Sequence, residues 1–169
     1  MKINGQTKFI IDNVVNNDKV KSVLNIGYRH DSDPFIKNSF EELGKTFTIL
    51  EVYPDNCKLM RQNNFNVIEM NVLDIKTLDK NFDAIIWLHG PEHIEWKDFL
   101  NVRKDIEDKA NHIVVYQAPI GFYPQGEIYG NPYEKHLTTL GAEMFKPLGY
   151  FTENHNTHGE FTFSAWIVK

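Results

Sequence analysis

The residues of this chain that could do chemistry fall at the ends of short apolar runs. Val23-Leu24-Asn25-Ile26 is one such run, and it stops on Gly27 before the polar stretch Tyr28-Arg29-His30-Asp31-Ser32. A glycine there lets a ligand approach the backbone where a Cβ would intrude. It equally serves a tight strand-to-loop turn. Glu51 lies at the end of a second run, Phe47 to Val52. A carboxylate at a strand end can accept hydrogen bonds from both hydroxyls of a ribose, or it can simply be solvated. Its separation from Gly27 suits a strand–helix–strand unit, ~20 residues or a little more, and the pairing favours the binding role. Asn71 follows a third run, Val67 to Met70. It can bond an adenine amino group between the apolar walls of Met70 and Val72, or it can serve a turn.

A fourth cluster is Leu88-His89-Gly90-Pro91-Glu92-His93. The histidines and the glutamate are acid–base or metal-ligand types. Gly90-Pro91 breaks any continuous helix, so His89 and His93 do not form a helical metal pair. The His-Glu-x-x-His order is also absent. The expectation is no metal, with Leu88 and His89 bordering a ligand and Glu92 with His93 capping the next helix. The fifth candidate is His136, after the Gly-, Pro- and aromatic-rich stretch Ile120 to Tyr133. Its imidazole titrates near neutrality and suits a general base. That stretch reads as a long loop: a substrate rim or lid, a self-packed rigid loop, or a contact between two copies in a homodimer.

The elements that must position these residues alternate apolar runs with amphipathic stretches, the pattern of a mostly parallel sheet covered by helices. Helical spacing of Phe9, Ile10, Val14 and Val15 predicts a first helix over about the first 15 residues. Strands are predicted at Val23 to Ile26, Phe47 to Val52, Val67 to Met70, Phe82 to Leu88 and His112 to Gln117. Helices are predicted after Pro34 with Asp33 as cap, after Pro54, over Trp96 to Lys109 and over Glu134 to Leu148. Tyr150 to Glu153 and Phe161 to Val168 read as a final antiparallel pair, with His155, His158 and Gly159 in the loop between.

The chain has 169 residues, which suits a single domain over 1–169. With 41% hydrophobic residues it can build a full core. The net charge of −5 argues against a nucleic-acid partner, which calls for a basic face. The single cysteine, Cys57, allows no intrachain disulfide. No apolar run approaches the ~20 residues that span a bilayer, and Met1 to Gln6 lacks the apolar stretch of a signal peptide. The expected location is cytoplasmic, with no membrane partner.

Together these signals resemble class I S-adenosylmethionine-dependent methyltransferases from about Val20 to Lys169. Val23-Leu24-Asn25-Ile26-Gly27 is similar to the family's first motif, a Val-Leu-Asp-Ile-Gly strand leading into Gly-x-Gly-x-Gly. Leu50-Glu51-Val52-Tyr53-Pro54 is similar to the second motif, whose acid holds the ribose. Asn71-Val72-Leu73-Asp74 falls where the family contacts adenine, and Phe82 to His89 with Glu92-His93-Ile94 resembles its fourth strand and continuation. Gly130-Asn131-Pro132-Tyr133-Glu134-Lys135-His136 resembles a segment of small bacterial or viral members. Asn25 departs from the family's Asp, and Arg29 and Asp31 replace its second and third glycines. Arg29 then fills the space of the cofactor's methionine moiety, turns outward, or pairs with its carboxylate.

The resemblance implies a three-layer α/β sandwich with a seven-stranded, mostly parallel sheet in the order 3-2-1-4-5-7-6, the last strand antiparallel. It implies S-adenosylmethionine as cofactor, held by Gly27, Tyr28, Glu51, Asn71, Val72 and Leu88. His89 and His136 are the candidates for substrate contact or proton removal. The acceptor is expected to be a small molecule or a saccharide-like compound. The rival reading is a binding or scaffold protein of the same fold that has lost its cofactor. A dinucleotide-dependent oxidoreductase comes third, because the terminal strand pair and the missing glycines count against it.

Overall fold

A computed structural model describes residues 5–28, 34–157 and 160–169. Arg29, Asp31, Asp33, His158 and Gly159 therefore lie outside the described residues. The strands are β1 (Ser22–Ile26), β2 (Thr46–Glu51), β3 (Asn66–Glu69), β4 (Phe82–Leu88), β5 (Ala110–Pro119), β6 (Phe151–Thr157) and β7 (Glu160–Val168). They form one sheet in the order β3-β2-β1-β4-β5-β7-β6. β3, β2, β1, β4 and β5 pair in parallel, and β7 runs antiparallel to both β5 and β6. This is the order and the strand direction expected from the sequence.

Both faces of the sheet are covered, which explains why the central strands are apolar at successive positions. Alternate residues of one strand point to opposite faces. Val23, Ala84, Ile86 and Val115 pack on one side with Phe9, Val14, Phe40 and Met60. These partners come from α1 (Gly5–Ile10) and the π-helical turn that continues it, from α2 (Phe35–Glu42) and from α3 (Pro54–Gln62). Leu24, Ile85, Trp87 and Tyr116 pack on the other side with Phe99, Ile106 and Phe145. Those three belong to α4 (Trp96–Lys109) and α5 (Ala142–Phe145). No helix among the described residues is long and apolar enough to cross a membrane.

Two sequence expectations fail, each for a local reason. Glu134 to Leu148 is not one helix: α5 is four residues long, and Lys146–Leu148 is a 3-10 turn. Gly141 is extended at φ −157°, and Pro147 has no N–H to continue a helix. The amides upstream also donate elsewhere, His136 to the Gln125 carbonyl and both Leu137 and Thr138 to the Glu92 carbonyl. In the second case, β6 continues through His155, which the sequence places in a loop. His155 is buried, and its Nε2 lies 2.7 Å from Ser164 Oγ on β7. Gln117 Nε2 donates to that same hydroxyl and to the Gln6 carbonyl, tying α1 to β5 and β7.

Gly90 fixes the exit from β4. A Cβ there would lie 1.7 Å from Trp87 Nε1, inside the buried indole. We expect Gly90→Ala to lower stability by about 1–3 kcal/mol, the range for forced overpacking. A thermal melt at neutral pH checks this, and an unchanged midpoint would refute the close packing of Trp87. Burial also holds the His155 imidazole below its ordinary pKa, and nearby Glu153 offsets this only in part. As pH falls below ~6.5 the unfolded chain takes up a proton there that the folded chain does not, so stability declines on acidification. His155→Gln should make that decline shallower in melts run from pH 8 to pH 5. Identical slopes would exclude His155 as a contributor.

Candidate functional site

Strand register gathers the candidate residues at one edge of the sheet. Ile26 pairs with Leu50 on one side and with Trp87 on the other, so β1, β2 and β4 end side by side. The chain leaves β1 toward β2 and β3 and later returns beside β1 as β4. That reversal opens a crevice beyond the carboxyl ends of the strands. A cavity of about 520 Å³ occupies it. Gly27, Tyr28, Glu51, Asn71, Val72, Leu88 and His89 all line this cavity. His136 does not; it lines a neighbouring cavity of about 410 Å³ with Tyr123 and Gln125.

Gly27 has φ +66°, a left-handed conformation that suits glycine. Its N–H donates to the Leu50 carbonyl at 2.8 Å. Its carbonyl accepts from Asn25 Nδ2 at 2.9 Å. An aspartate carboxylate at position 25 could not donate that bond, so Asn25 has a structural task here.

Glu51 is 5% exposed and is held by backbone amides on both oxygens. Tyr28 N donates to Oε2 at 3.1 Å, and Tyr53 N donates to Oε1 at 2.8 Å. Burial nonetheless raises its pKa, and the amides of Tyr53, Tyr28 and Val52 pull the other way. Each oxygen keeps a second lone pair for a ligand hydroxyl. The Tyr28 ring packs against Phe47 and Phe65. Asn71 Oδ1 accepts from Leu73 N at 3.0 Å and caps the 3-10 turn Val72–Thr77. The turn reading of Asn71 therefore holds, and the cap sets Val72 in the cavity wall.

Beyond β4, His89 takes φ +51°, uncommon for a residue with a side chain. Its N–H donates to the Gln117 carbonyl at 2.8 Å, and its Nε2 lies 3.2 Å from Gln6 Oε1. Glu92 and His93 do not cap α4, contrary to the sequence expectation. They belong to a separate 3-10 turn, Pro91–His93, and extended Ile94 and Glu95 intervene before α4 starts. Glu92 is instead buried at 3% exposure, and neither carboxyl oxygen accepts a hydrogen bond among the described residues. Burial pushes its pKa up to about 8.

The loop before α5 brings His136 to this place, with its ring centroid 4.8 Å from that of His93. Sequence reasoning missed Asn131 and Leu137, which line the main cavity. Asn131 is buried; its Oδ1 accepts from Tyr133 N, and its Nδ2 donates to Glu134 Oε1. The Gly130-Asn131-Pro132 turn signature marked the segment but not which side chain turns inward.

No protein-family model and no curated protein matches this chain in sequence. Solved structures do match it in fold. A complex of DhpI with SAH superposes with a TM-score of 0.69 at 12% identity, over 96% of this chain and 84% of DhpI. A SAM-dependent methyltransferase from Archaeoglobus fulgidus gives 0.67 at 16% identity, over 97% of this chain and 93% of that one. The magnesium protoporphyrin IX methyltransferase ChlM from Synechocystis PCC 6803, with bound SAM, gives 0.62 at 11% identity, over 100% of this chain and 86% of ChlM. The fold is that of the class I methyltransferases.

The Asn71 cap gives a direct check on the cavity wall. Asn71→Ala should cost about 1 kcal/mol, as loss of a side-chain cap does, whereas Asn71→Asp keeps the acceptor and should cost less. Denaturant unfolding of the three proteins measures this, and equal losses in both variants would contradict the cap.

Proposed function

We propose that this chain binds S-adenosylmethionine and transfers its methyl group to a small-molecule or saccharide-like acceptor. The observation that carries this reading is Glu51. Its buried carboxylate is oriented by two backbone amides, one from each flanking loop, and faces the cavity beside the left-handed Gly27. A vicinal diol such as a ribose offers two donors to such a carboxylate. Val72 and Leu88 supply apolar walls for a purine, and Asn71 stands at the wall's edge. DhpI and ChlM, which share the fold, were solved with SAH and SAM.

The cofactor supplies an electrophilic methyl on a sulfonium, so the protein's task is mainly to align a nucleophile with it and exclude water. His89 lines the cavity with a half-exposed side chain and is placed to contact the acceptor or take its proton. His136 reaches the acceptor side only through the adjoining cavity. The net charge of −5 fits a small acceptor better than a nucleic acid.

Calorimetric titration with S-adenosylmethionine and S-adenosylhomocysteine should give a dissociation constant in the micromolar range. Glu51→Ala, checked for folding by circular dichroism, should weaken binding at least tenfold. No heat at millimolar ligand would overturn the cofactor assignment and leave a cofactor-free scaffold. If the ligands bind, Arg29→Gly reports whether Arg29 obstructs or assists: tighter binding means obstruction, and weaker binding means assistance.

A further inference from the structure

We propose that Glu92, His93 and His136 form a binding site for a divalent first-row transition ion, and that the bound ion takes an oxygen of the methyl acceptor. The second half of this proposal rests on the methyl-transfer reading above; the first half does not. One ligand atom from each of the three residues lies within 4.8 Å of the other two. An ion bound at about 2.1 Å to each ligand in tetrahedral geometry needs those atoms roughly 3.4 Å apart.

Glu92 is the independent sign of a ligand. A carboxyl group left almost fully buried, with no hydrogen bond to either oxygen among the described residues, is costly and demands a partner. His89 Nδ1 lies 3.8 Å from Glu92 Oε1, beyond hydrogen-bond range. Nearby Glu134 adds negative potential. A cation, displacing the carboxyl proton, supplies the missing partner.

The two imidazoles are already arranged as ligands. His93 Nδ1 lies 3.3 Å from the Lys135 carbonyl, and His136 Nδ1 lies 2.6 Å from the Tyr123 carbonyl. A carbonyl only accepts, so each Nδ1 is the donor in its contact and fixes the ring's orientation. Metal-bound histidines are commonly oriented in this way, by donating the other ring N–H to a carbonyl. Two imidazoles and one carboxylate suit zinc, iron, cobalt or manganese better than magnesium or calcium, which prefer all-oxygen sites.

The site stands in the partition between the two cavities. His93 lines the cavity that contains Gly27 and Glu51, and His136 lines the other. Three protein ligands leave a coordination position open for an acceptor hydroxyl. Coordination lowers the pKa of that hydroxyl, and its proton passes to solvent. The oxygen lone pair then forms the new O–CH₃ bond as the S–CH₃ bond breaks, and the bonding pair remains on sulfur as a thioether. The acceptor class this selects is an oxygen nucleophile with room for the cation.

The test uses tag-free full-length protein freed of metal by chelation, and no nucleoside ligand is added. Zn²⁺ is titrated by calorimetry and Co²⁺ by visible absorption. We expect about one equivalent to bind with a micromolar or tighter dissociation constant, and Co²⁺ to give the intense visible bands of a low-coordinate site. His136→Ala, on a half-buried loop, and Glu92→Gln should each weaken binding at least tenfold. Absence of binding, or equal binding by wild type and both variants, overturns the proposal. Separate titration with S-adenosylhomocysteine in excess chelator tests the cofactor reading alone, so failure of one assignment is distinguishable from failure of the other.

Discussion

The parallel ladder that joins β1 to β2 and to β4 is the constraint from which the rest follows. Because Ile26 is in register with both Leu50 and Trp87, three strands end at the same level. Each must then turn away in its own direction, and the turns leave a crevice that no side chain of the sheet fills. Gly27, Glu51 and Leu88 need no long-range attraction to meet. They are neighbours because the parallel register places the ends of the three strands side by side. The Tyr28 and Tyr53 amides then anchor Glu51, so that one carboxylate joins the loops after β1 and β2.

Much of this was legible in the residues. The runs at Val23, Phe47 and Phe82 are apolar at nearly every successive position, the mark of strands buried on both sheet faces, and that pattern is readable without any tertiary information. The strand order came from a likeness of motifs rather than from periodicity, which says nothing about which strands adjoin. The late chain was harder to read. Glu134 to Leu148 contains helix formers, but Leu137 and Thr138 give their amides to the Glu92 carbonyl, a partner far away in sequence. Local propensity carries no record of such a bond. Glu92 itself was misjudged for a related reason: an acid just ahead of a helix usually caps it, and only the intervening extended residues turn it inward.

Buried polar groups divide into two kinds in this molecule. Gln117, Ser164 and His155 satisfy one another beneath β5 and β7, with Gln6 bringing in the first helix. Such a network is internal, and it ties α1 to the sheet. Glu51, which faces the main cavity, and Glu92, buried behind it, differ in that each is held at a raised pKa by burial. Protein folds rarely keep such carboxyls without a task.

The Glu92 carbonyl accepts two amides from the segment ahead of α5, and the Thr138 hydroxyl bonds to the Ile94 carbonyl beside it. The turn after β4 and the late loop are thereby welded into one mechanical body. A compound that pushes on the loop from the outer cavity must displace that turn too, and Trp87 beneath it resists. A change in the shape of the outer cavity would thus have to proceed by paired changes, one on each side of the weld, rather than by drift of the loop alone.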